Sequence, residues 1–362
     1  MAASLNNPAW LEWMATLMGG GSRHSYAAAF PPHRFYCLLD DLPLHLIPQP
    51  AKRVELYSHG ERPELLGPNR VAPNPTVLNP DVLNPECLLL PAGQLPEPLR
   101  LREDLLAGFA RQGTIAWVRD AASGSLLPFW LGPRLESTLR NLMAGTLVPA
   151  ALDAGDRALL LGAGILRSPH QTSRTQRDGV AKRMSACFQA KGYAPLAGLI
   201  HPFHVAALRR YYRYLIRTGA IRLGDGQSSR RYVAYNEPVA RFFHQSLAAT
   251  FSAVAGEPLK PSYVYMASYL SGAELKKHTD REQCEFSITF CLDFSPEPEF
   301  GTPWPIQLDT GGGTVTVYQA LGDGLAYRGT RLPHYRGVLG EGKTSTSIFF
   351  HYVPADFAGS LD

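Results

Sequence analysis

Two short stretches of the sequence contain residue types that bind metal ions. In KKHTDREQ, His278 and Asp280 are two positions apart, immediately before a strand-like segment. In an extended chain this spacing places both side chains on one face, roughly 6 to 7 Å apart along the backbone. His334, 54 residues beyond Asp280, is the candidate third ligand. Two histidines and one carboxylate form the facial triad that suits non-haem Fe(II) and leaves coordination positions open for a co-substrate and oxygen.

A candidate anion site lies close to these residues in the sequence. Lys343 and Ser345 follow His334 at the start of a strand-like run and share one face, so a cation and a hydroxyl point the same way toward a carboxylate. Tyr269, before His278, adds a phenol able to donate a hydrogen bond. Arg331 and Arg336 flank His334 and are alternative anchors. The strand context of Lys343 and its distance from His334 favour Lys343.

The segment CEFSITFCLD alternates in character and predicts a strand with two different faces. Large apolar side chains form one face and small, mildly polar ones form the other: Phe286, Ile288, Phe290 and Leu292 against Ser287, Thr289 and Cys291. The polar face could line a cavity, which would place Thr289 and Cys291 near the co-substrate. The alternative is the interior of an ordinary sandwich.

The elements that must position these residues fall in the C-terminal third. After Pro261 the sequence contains several short β-branched and aromatic segments separated by Gly, Pro and Asp turns, typical of a double-sheet barrel or jelly roll. Two helices are predicted before these segments. The first lies between His201 and Gly219, and the second, in NEPVARFFHQSLAATFSAVAG, ends at Gly256. Each has a proline near its start and a glycine at its end.

The first 165 residues are predicted to form a separate region of unknown role. A proline- and asparagine-rich arm, including PNRVAPNPTVLNPDVLNPE, is predicted to be extended, because residues before proline disfavour helix. It is followed by a small helix-hairpin-helix module, in which EDLLAGFARQG is the first helix and the hairpin turns near Ala122 to Gly124. The second domain is predicted to span residues 166–362.

The sequence resembles the iron(II)/2-oxoglutarate-dependent dioxygenases, and most closely their prolyl-4-hydroxylase-like branch. The resemblance lies in the order and spacing of Tyr269, His278-x-Asp280, His334 and Lys343-x-Ser345. The resemblance covers about residues 191 to 353. It implies an α+β fold class: a C-terminal double-stranded β-helix (jelly-roll) with supporting helices, here preceded by a mixed α/β N-terminal region.

The resemblance also implies cofactors and residue roles. Fe(II) would be bound by His278, Asp280 and His334. Lys343 would bind the distal carboxylate of 2-oxoglutarate, assisted by Ser345 and Tyr269, with Thr289 beside the co-substrate. With O2, such an enzyme hydroxylates an unactivated C–H bond and releases succinate and CO2.

Two details refine the expected reaction. Related halogenases lack the carboxylate ligand, so Asp280 favours hydroxylation. Relatives that repair alkylated nucleic acid use arginines further downstream as anchors, and no arginine follows Arg336, so a nucleic-acid substrate is disfavoured.

The substrate is expected to be an amino acid, a peptidyl group or another small molecule, and the oligomeric state stays open. The long N-terminal region favours a peptidyl or carrier-bound substrate. Two other functions remain open: a cupin-like protein that uses another divalent ion, and a catalytically inactive β-helix scaffold that binds a protein or nucleic acid. Lys343-x-Ser345 counts against the first, and the intact His278-x-Asp280 motif with His334 counts against the second.

Composition excludes several protein classes. The 362 residues are 45% hydrophobic and 18% charged, which excludes a disordered or fibrous chain. No apolar run approaches the roughly 20 residues that span a bilayer. The first twenty residues contain Glu12 and no Lys or Arg, unlike a secretory signal. The five scattered cysteines predict reduced thiols. These features predict a cytoplasmic protein without membrane contact.

One segment of the sequence is strongly basic. Residues 167–241 contain fourteen Lys or Arg and three acidic residues. This excess of positive charge predicts either a surface for an acidic partner or helix faces that pair with the acidic stretch after residue 273. The second is favoured.

Four other histidines are predicted to be packed or surface imidazoles rather than metal ligands: His201, His204, His244 and His351.

Overall fold

The computed structural model describes residues 29–42, 81–120, 124–168, 174–299 and 301–362, with the side chains of residues 174–181 outside the description. The first twenty residues and most of the proline- and asparagine-rich arm lie outside these ranges, so the predictions for them stay predictions. None of the helices in the described part of the chain combines the length and apolar character needed to cross a membrane.

The described N-terminal region contains a three-stranded antiparallel sheet, two helices and a two-stranded pairing. Its elements are β1 (Val82–Leu83), β2 (Cys87–Pro91), β3 (Thr114–Arg119), β4 (Leu126–Leu131), α1 (Pro133–Met143), α2 (Ala154–Gly162) and β5 (Leu166–Arg167), with 3-10 helices at Leu39–Asp41, Glu97–Leu106 and Pro149–Ala151. The predicted hairpin is β3–β4. β5 pairs with β1, and it begins one residue after the predicted boundary at residue 165.

One predicted helix differs from the structure. The segment from Glu103 was expected to be α-helical up to Gly113, but the helical part is a 3-10 helix that ends at Leu106. Gly108 then packs so closely on Val239 that a Cβ would overlap its Cγ2 atom. The buried Phe109 forms a bridge to Phe35. Tertiary contacts therefore redirect the chain where local sequence predicts more helix.

Three helices follow: α3 (Arg174–Lys191), α4 (Pro202–Arg217) and α5 (Pro238–Ala255). The last two confirm the predictions. α4 begins at Pro202, where the His201 ring accepts a hydrogen bond from Phe203 N at 3.1 Å. α5 begins at Pro238 and ends at Gly256, which adopts the left-handed conformation that favours glycine (φ 75°).

The C-terminal part is built on two antiparallel sheets. Its strands are β6 (Tyr193–Leu196), β7 (Arg222–Leu223), β8 (Arg231–Tyr235), β9 (Leu259–Tyr269), β10 (Leu275–His278), β11 (Phe286–Ser295), β12 (Ile306–Thr310), β13 (Gly313–Val317), β14 (Gly324–Arg328), β15 (His334–Arg336) and β16 (Thr344–Pro354), with a 3-10 helix at Glu282–Cys284. The large sheet has the order β6-β14-β11-β16-β9-β8-β7 and the small sheet β10-β15-β12-β13. This arrangement agrees with the predicted α+β class.

The large sheet has one face against helices and one against the small sheet. Ile288 and Phe290 of β11 share a buried cluster with Phe203 of α4 and Phe243 of α5. On the other face, side chains of both sheets pack together in two smaller clusters. The alternation of β11 thus confirms the predicted separation of its apolar face from the face bearing Ser287, Thr289 and Cys291.

Ion pairs account for part of the basic segment. Arg209 and Arg213 of α4 pair with Asp293 of β11 at 2.9 and 2.5 Å. Arg231 pairs with Asp225 at 2.5 Å. The pairs with Asp293 agree with the prediction that this segment pairs with the acidic stretch after residue 273, whereas Asp225 lies within the basic segment itself. All five cysteines are free thiols, as expected.

Candidate metal centre and barrel interior

The structure brings the three predicted metal ligands together. His278 at the end of β10 lies directly opposite His334 on β15, with ring centroids 4.4 Å apart. Asp280 Oδ1 is 3.7 Å from His278 Nε2 and 3.5 Å from His334 Nε2. One ligand atom from each residue lies within 4.8 Å of the others. A single metal ion can therefore contact all three side chains after small adjustments.

Both imidazoles are oriented by the backbone. His278 Nδ1 lies 2.8 Å from the Lys276 carbonyl oxygen, and His334 Nδ1 lies 3.0 Å from that of Leu332. A carbonyl can only accept, so each Nδ1 carries a proton, and in the neutral ring Nε2 then has its lone pair directed to the centre. The register of β10 shifts between Leu275 and His278, a bulge that turns His278 toward its partner.

Asp280 lies just beyond β10 and is held by two contacts. Its backbone N–H donates to the Gly329 carbonyl at 2.9 Å, and its Oδ2 atom accepts a hydrogen bond from Ser287 Oγ at 3.0 Å. Gly329 must be a glycine at this point, because a Cβ would overlap Asp280 Oδ2 and the Cys284 carbonyl oxygen. The carboxylate thus has Oδ1 facing the histidines and Oδ2 facing the protein.

Burial favours the neutral form of the His334 imidazole. Its side chain is 3% exposed, whereas that of His278 is 37% exposed. Burial lowers the pKa of His334 by disfavouring the imidazolium, while the nearby Asp280 carboxylate acts in the opposite direction. A neutral imidazole is the form that binds metal ions.

Two buried side chains, one on β15 and one on β11, each contain a polar atom without a hydrogen-bond partner among the described residues. Arg336 shares a face of β15 with His334 and is 4% exposed; its guanidinium donates to Gln319 Oε1 at 2.9 Å and to the Trp304 carbonyl. Its Nε atom and Thr289 Oγ1 are buried without a hydrogen-bond partner among the described residues. Each of these atoms keeps a hydrogen-bonding capacity that a water molecule or a ligand could satisfy.

The three residues of the candidate anion site lie at neighbouring positions. Ser345 and Tyr269 are directly opposite each other on β16 and β9, and both are buried. Lys343 is half-buried just before β16, and among the described residues no carboxylate forms an ion pair with it. The Tyr269 hydroxyl accepts a hydrogen bond from Arg231 at 3.3 Å. Arg331 is exposed and does not lie in the interior.

The other histidines are packed inside the protein, as predicted. His201, His204 and His244 each place Nε2 within 3.0 Å of a backbone carbonyl oxygen. His351 is also buried, but its Nδ1 atom is 2.9 Å from the Ser287 hydroxyl that contacts Asp280. No role for His351 or for the Ser287 hydroxyl was predicted from the sequence. The alternation of β16 was the available signal, because His351 shares the face of Ser345.

Comparisons with known proteins found structural similarity only. No family model matches the chain, and no curated protein matches it. Among solved structures, it is similar to the non-heme alpha ketoglutarate dependent epimerase SnoN from nogalamycin biosynthesis (18% identity, TM-score 0.41, 49% of this chain and 83% of that chain). It is also similar to a Pseudomonas putida prolyl-4-hydroxylase (16% identity, TM-score 0.40, 47% of this chain and 98% of that chain).

A third similar structure is HygX from Streptomyces hygroscopicus with nickel, 2-oxoglutarate and hygromycin B bound (14% identity, TM-score 0.39, 49% of this chain and 88% of that chain). The similar structures include an epimerase as well as a hydroxylase.

Proposed function

We propose that this protein is an Fe(II)- and 2-oxoglutarate-dependent oxygenase that hydroxylates an unactivated C–H bond, built on a double-stranded β-helix. The observation that carries the proposal is the convergence of His278, Asp280 and His334, with both Nε2 atoms close to one carboxylate oxygen. The N-H groups of both rings are already directed to carbonyls, so no rotation is needed to expose the lone pairs.

The donor set fits ferrous iron. Two neutral imidazoles and one carboxylate occupy one side of an ion and leave the other side open. Iron, 2-oxoglutarate and oxygen would together supply the oxidation of the substrate C–H bond, with release of succinate and CO2. The protein's residues orient the ligands, bind the co-substrate and keep water from the interior.

The co-substrate would occupy the space between the two sheets. We propose that the Lys343 ammonium binds its distal carboxylate, with Ser345 and Tyr269 donating hydrogen bonds and Thr289 beside it. Lys343 supports this role because it is a cation without an ion-pair partner among the described residues, two positions before the buried Ser345, which lies opposite the buried Tyr269. Its ammonium lies beside Gly340, so the side chain would turn inward to reach the co-substrate. Arg336 is the alternative, because its guanidinium is fully inside the barrel and Nε has no partner among the described residues.

The substrate would be an amino acid, a peptidyl group or another small molecule. The described N-terminal region packs on the helices that cover the outer face of the large sheet: Phe35 contacts Tyr211 of α4 and Phe243 of α5. The metal ligands lie on the opposite side of that sheet. The N-terminal region therefore gives less support to a peptidyl or carrier-bound substrate than its length alone suggests.

Succinate release tests the proposal. Purified protein with Fe(II), ascorbate and 2-oxoglutarate is expected to form succinate slowly even without substrate, and His278→Ala and Asp280→Ala should each abolish this turnover. His204→Gln, which changes a buried imidazole of α4, is the control and should retain it. Metal binding without 2-oxoglutarate binding in calorimetry would favour a cupin-like protein, and binding of neither would favour an inactive scaffold.

The anchor is tested by the 2-oxoglutarate requirement. Lys343→Met should raise the 2-oxoglutarate concentration needed for half-maximal turnover by about tenfold or more, since it removes a charge-assisted contact worth about 1.5 to 3 kcal/mol. The exposed Arg331→Met is the matched control and should leave the requirement unchanged. An unchanged requirement in Lys343→Met, together with a raised one in Arg336→Met, would assign the anchor to Arg336.

A further inference from the structure

The Asp280 carboxylate has two oxygens in different environments. Oδ1 is the atom closest to both histidine Nε2 atoms, at 3.7 and 3.5 Å. Oδ2 faces the protein and accepts a hydrogen bond from Ser287 Oγ at 3.0 Å. A carboxylate held at one oxygen cannot rotate freely, so Ser287 determines which oxygen faces the metal.

The Ser287 hydroxyl is in turn within reach of His351. The distance from Ser287 Oγ to His351 Nδ1 is 2.9 Å, and the two residues are directly opposite each other on β11 and β16. A serine hydroxyl has a single proton. Since an ionised carboxylate is a stronger acceptor than the Cys284 carbonyl at 3.2 Å, the proton belongs to the bond with Asp280. His351 Nδ1–H is then the donor to Ser287 Oγ.

Packing fixes the His351 ring. The residue is 6% exposed and Ser287 is fully buried. The ring lies beside Tyr263, with centroids 4.7 Å apart, and parallel to Phe349 at 6.5 Å. The backbone carbonyl of His351 accepts a hydrogen bond from His244 Nε2 at 2.7 Å. Neither its ring nor its backbone can move without disturbing several neighbours.

We infer that His351 is a positioning residue, which acts through Ser287 to hold the Asp280 carboxylate in the orientation that binds the metal ion. The inference rests on the proposed function, because it assumes a metal at His278, Asp280 and His334. It adds two residues that the motif does not contain, and it assigns them to the affinity and geometry of the metal site rather than to the chemical step.

Cobalt(II) titration of the full-length, metal-free protein tests the inference. Visible absorption reports both the affinity and the coordination of bound Co(II). His351→Leu and Ser287→Ala are each expected to lower the affinity about tenfold, the range typical for groups that orient a metal ligand, and to change the spectrum. His351→Asn and Ser287→Thr keep an N–H or O–H donor at the same place and should restore most of the affinity.

Ser347→Ala is the matched control, because Ser347 is a buried serine on the inner face of β16 and should leave Co(II) affinity unchanged. Unchanged affinity and spectrum in both His351→Leu and Ser287→Ala would overturn the inference, as would equal losses in His351→Asn and His351→Leu.

Asp280, Cys284 and His351 also form a group that could hold a metal ion. Loss of a second equivalent of Co(II) in His351→Leu would make His351 a ligand and overturn a positioning role. Failure of the wild type to bind Co(II) would overturn the proposed function together with the inference, whereas the outcomes above overturn the inference alone.

Discussion

At the scale of single residues, the sequence predicted which three candidate metal ligands would come together, but not how their side chains are oriented. His278-x-Asp280 and a distant histidine are a pattern of residue types, which the sequence displays directly. The backbone carbonyls that orient the rings, and the contact between Ser287 and His351 across 64 positions, depend on how the strands align. Strand register is a property of the folded sheet, so no local pattern could show these contacts.

Gly329 gives a residue-scale prediction about the metal site. In Gly329→Ala the new methyl group would overlap Asp280 Oδ2, so the carboxylate must move away from the histidines. We expect Co(II) affinity to fall by about tenfold or more, with a loss of about 1 to 3 kcal/mol in the free energy of unfolding from overpacking.

Gly337→Ala is the control, because a Cβ at Gly337 has no atom within 4 Å. It should leave Co(II) affinity unchanged. Titration of both variants with Co(II), with urea unfolding in parallel, checks the prediction. Equal affinities of the two variants would show that Gly329 does not constrain Asp280.

At the scale of elements, several of the C-terminal strands and the helices α4 and α5 were predictable because their patterns are local. The alternation in β11 gave the correct inner face, and proline and glycine marked the ends of α4 and α5. The 3-10 helix ending at Leu106 was not predicted, because the close contact of Gly108 with Val239 overrides the local helical pattern.

The attachment of α4 to β11 gives an element-scale prediction. Asp293, with a 10% exposed side chain, pairs with both Arg209 and Arg213. Asp293→Ala would leave a buried guanidinium without its main partner, so we expect a loss of about 3 to 5 kcal/mol in the free energy of unfolding. Urea unfolding at neutral pH measures it.

Glu297→Ala is the comparison, because Glu297 also pairs with Arg209 but its side chain is 56% exposed. Exposed ion pairs contribute about 1 kcal/mol or less, so this variant should be nearly as stable as the wild type. A similar small loss in both variants would mean that the ion pairs of Asp293 do not hold α4 on the sheet.

At the scale of the whole molecule, buried histidines predict a dependence of stability on pH. Burial lowers the pKa of His244 to about 3 and that of His351 to about 4, against an ordinary value of 6.5. The unfolded chain therefore binds more protons than the folded chain below pH 6.5, and stability is lost as the pH falls from about 6.5 toward 4.

A variant isolates the contribution of His244. Between pH 7 and pH 5, the residue should contribute about 2 kcal/mol to the loss of folding free energy. His244→Gln keeps an amide donor for the His351 carbonyl but does not titrate, so its loss over the same interval should be smaller by about that amount. Urea unfolding at the two pH values checks this, and identical losses in wild type and variant would contradict it.

The position of β10 in its sheet has a consequence for the whole molecule. β10 is an edge strand with a bulge, and among the described strands it pairs only with β15. An ion shared by His278, Asp280 and His334 would cross-link this edge to its neighbour. Amide hydrogens of residues 275–280 should then exchange with deuterium more slowly when metal is added, while those of β16 in the centre of the large sheet stay equally protected. Metal depletion would thereby make residues 275–280 more accessible to a protease than in the metal-bound protein.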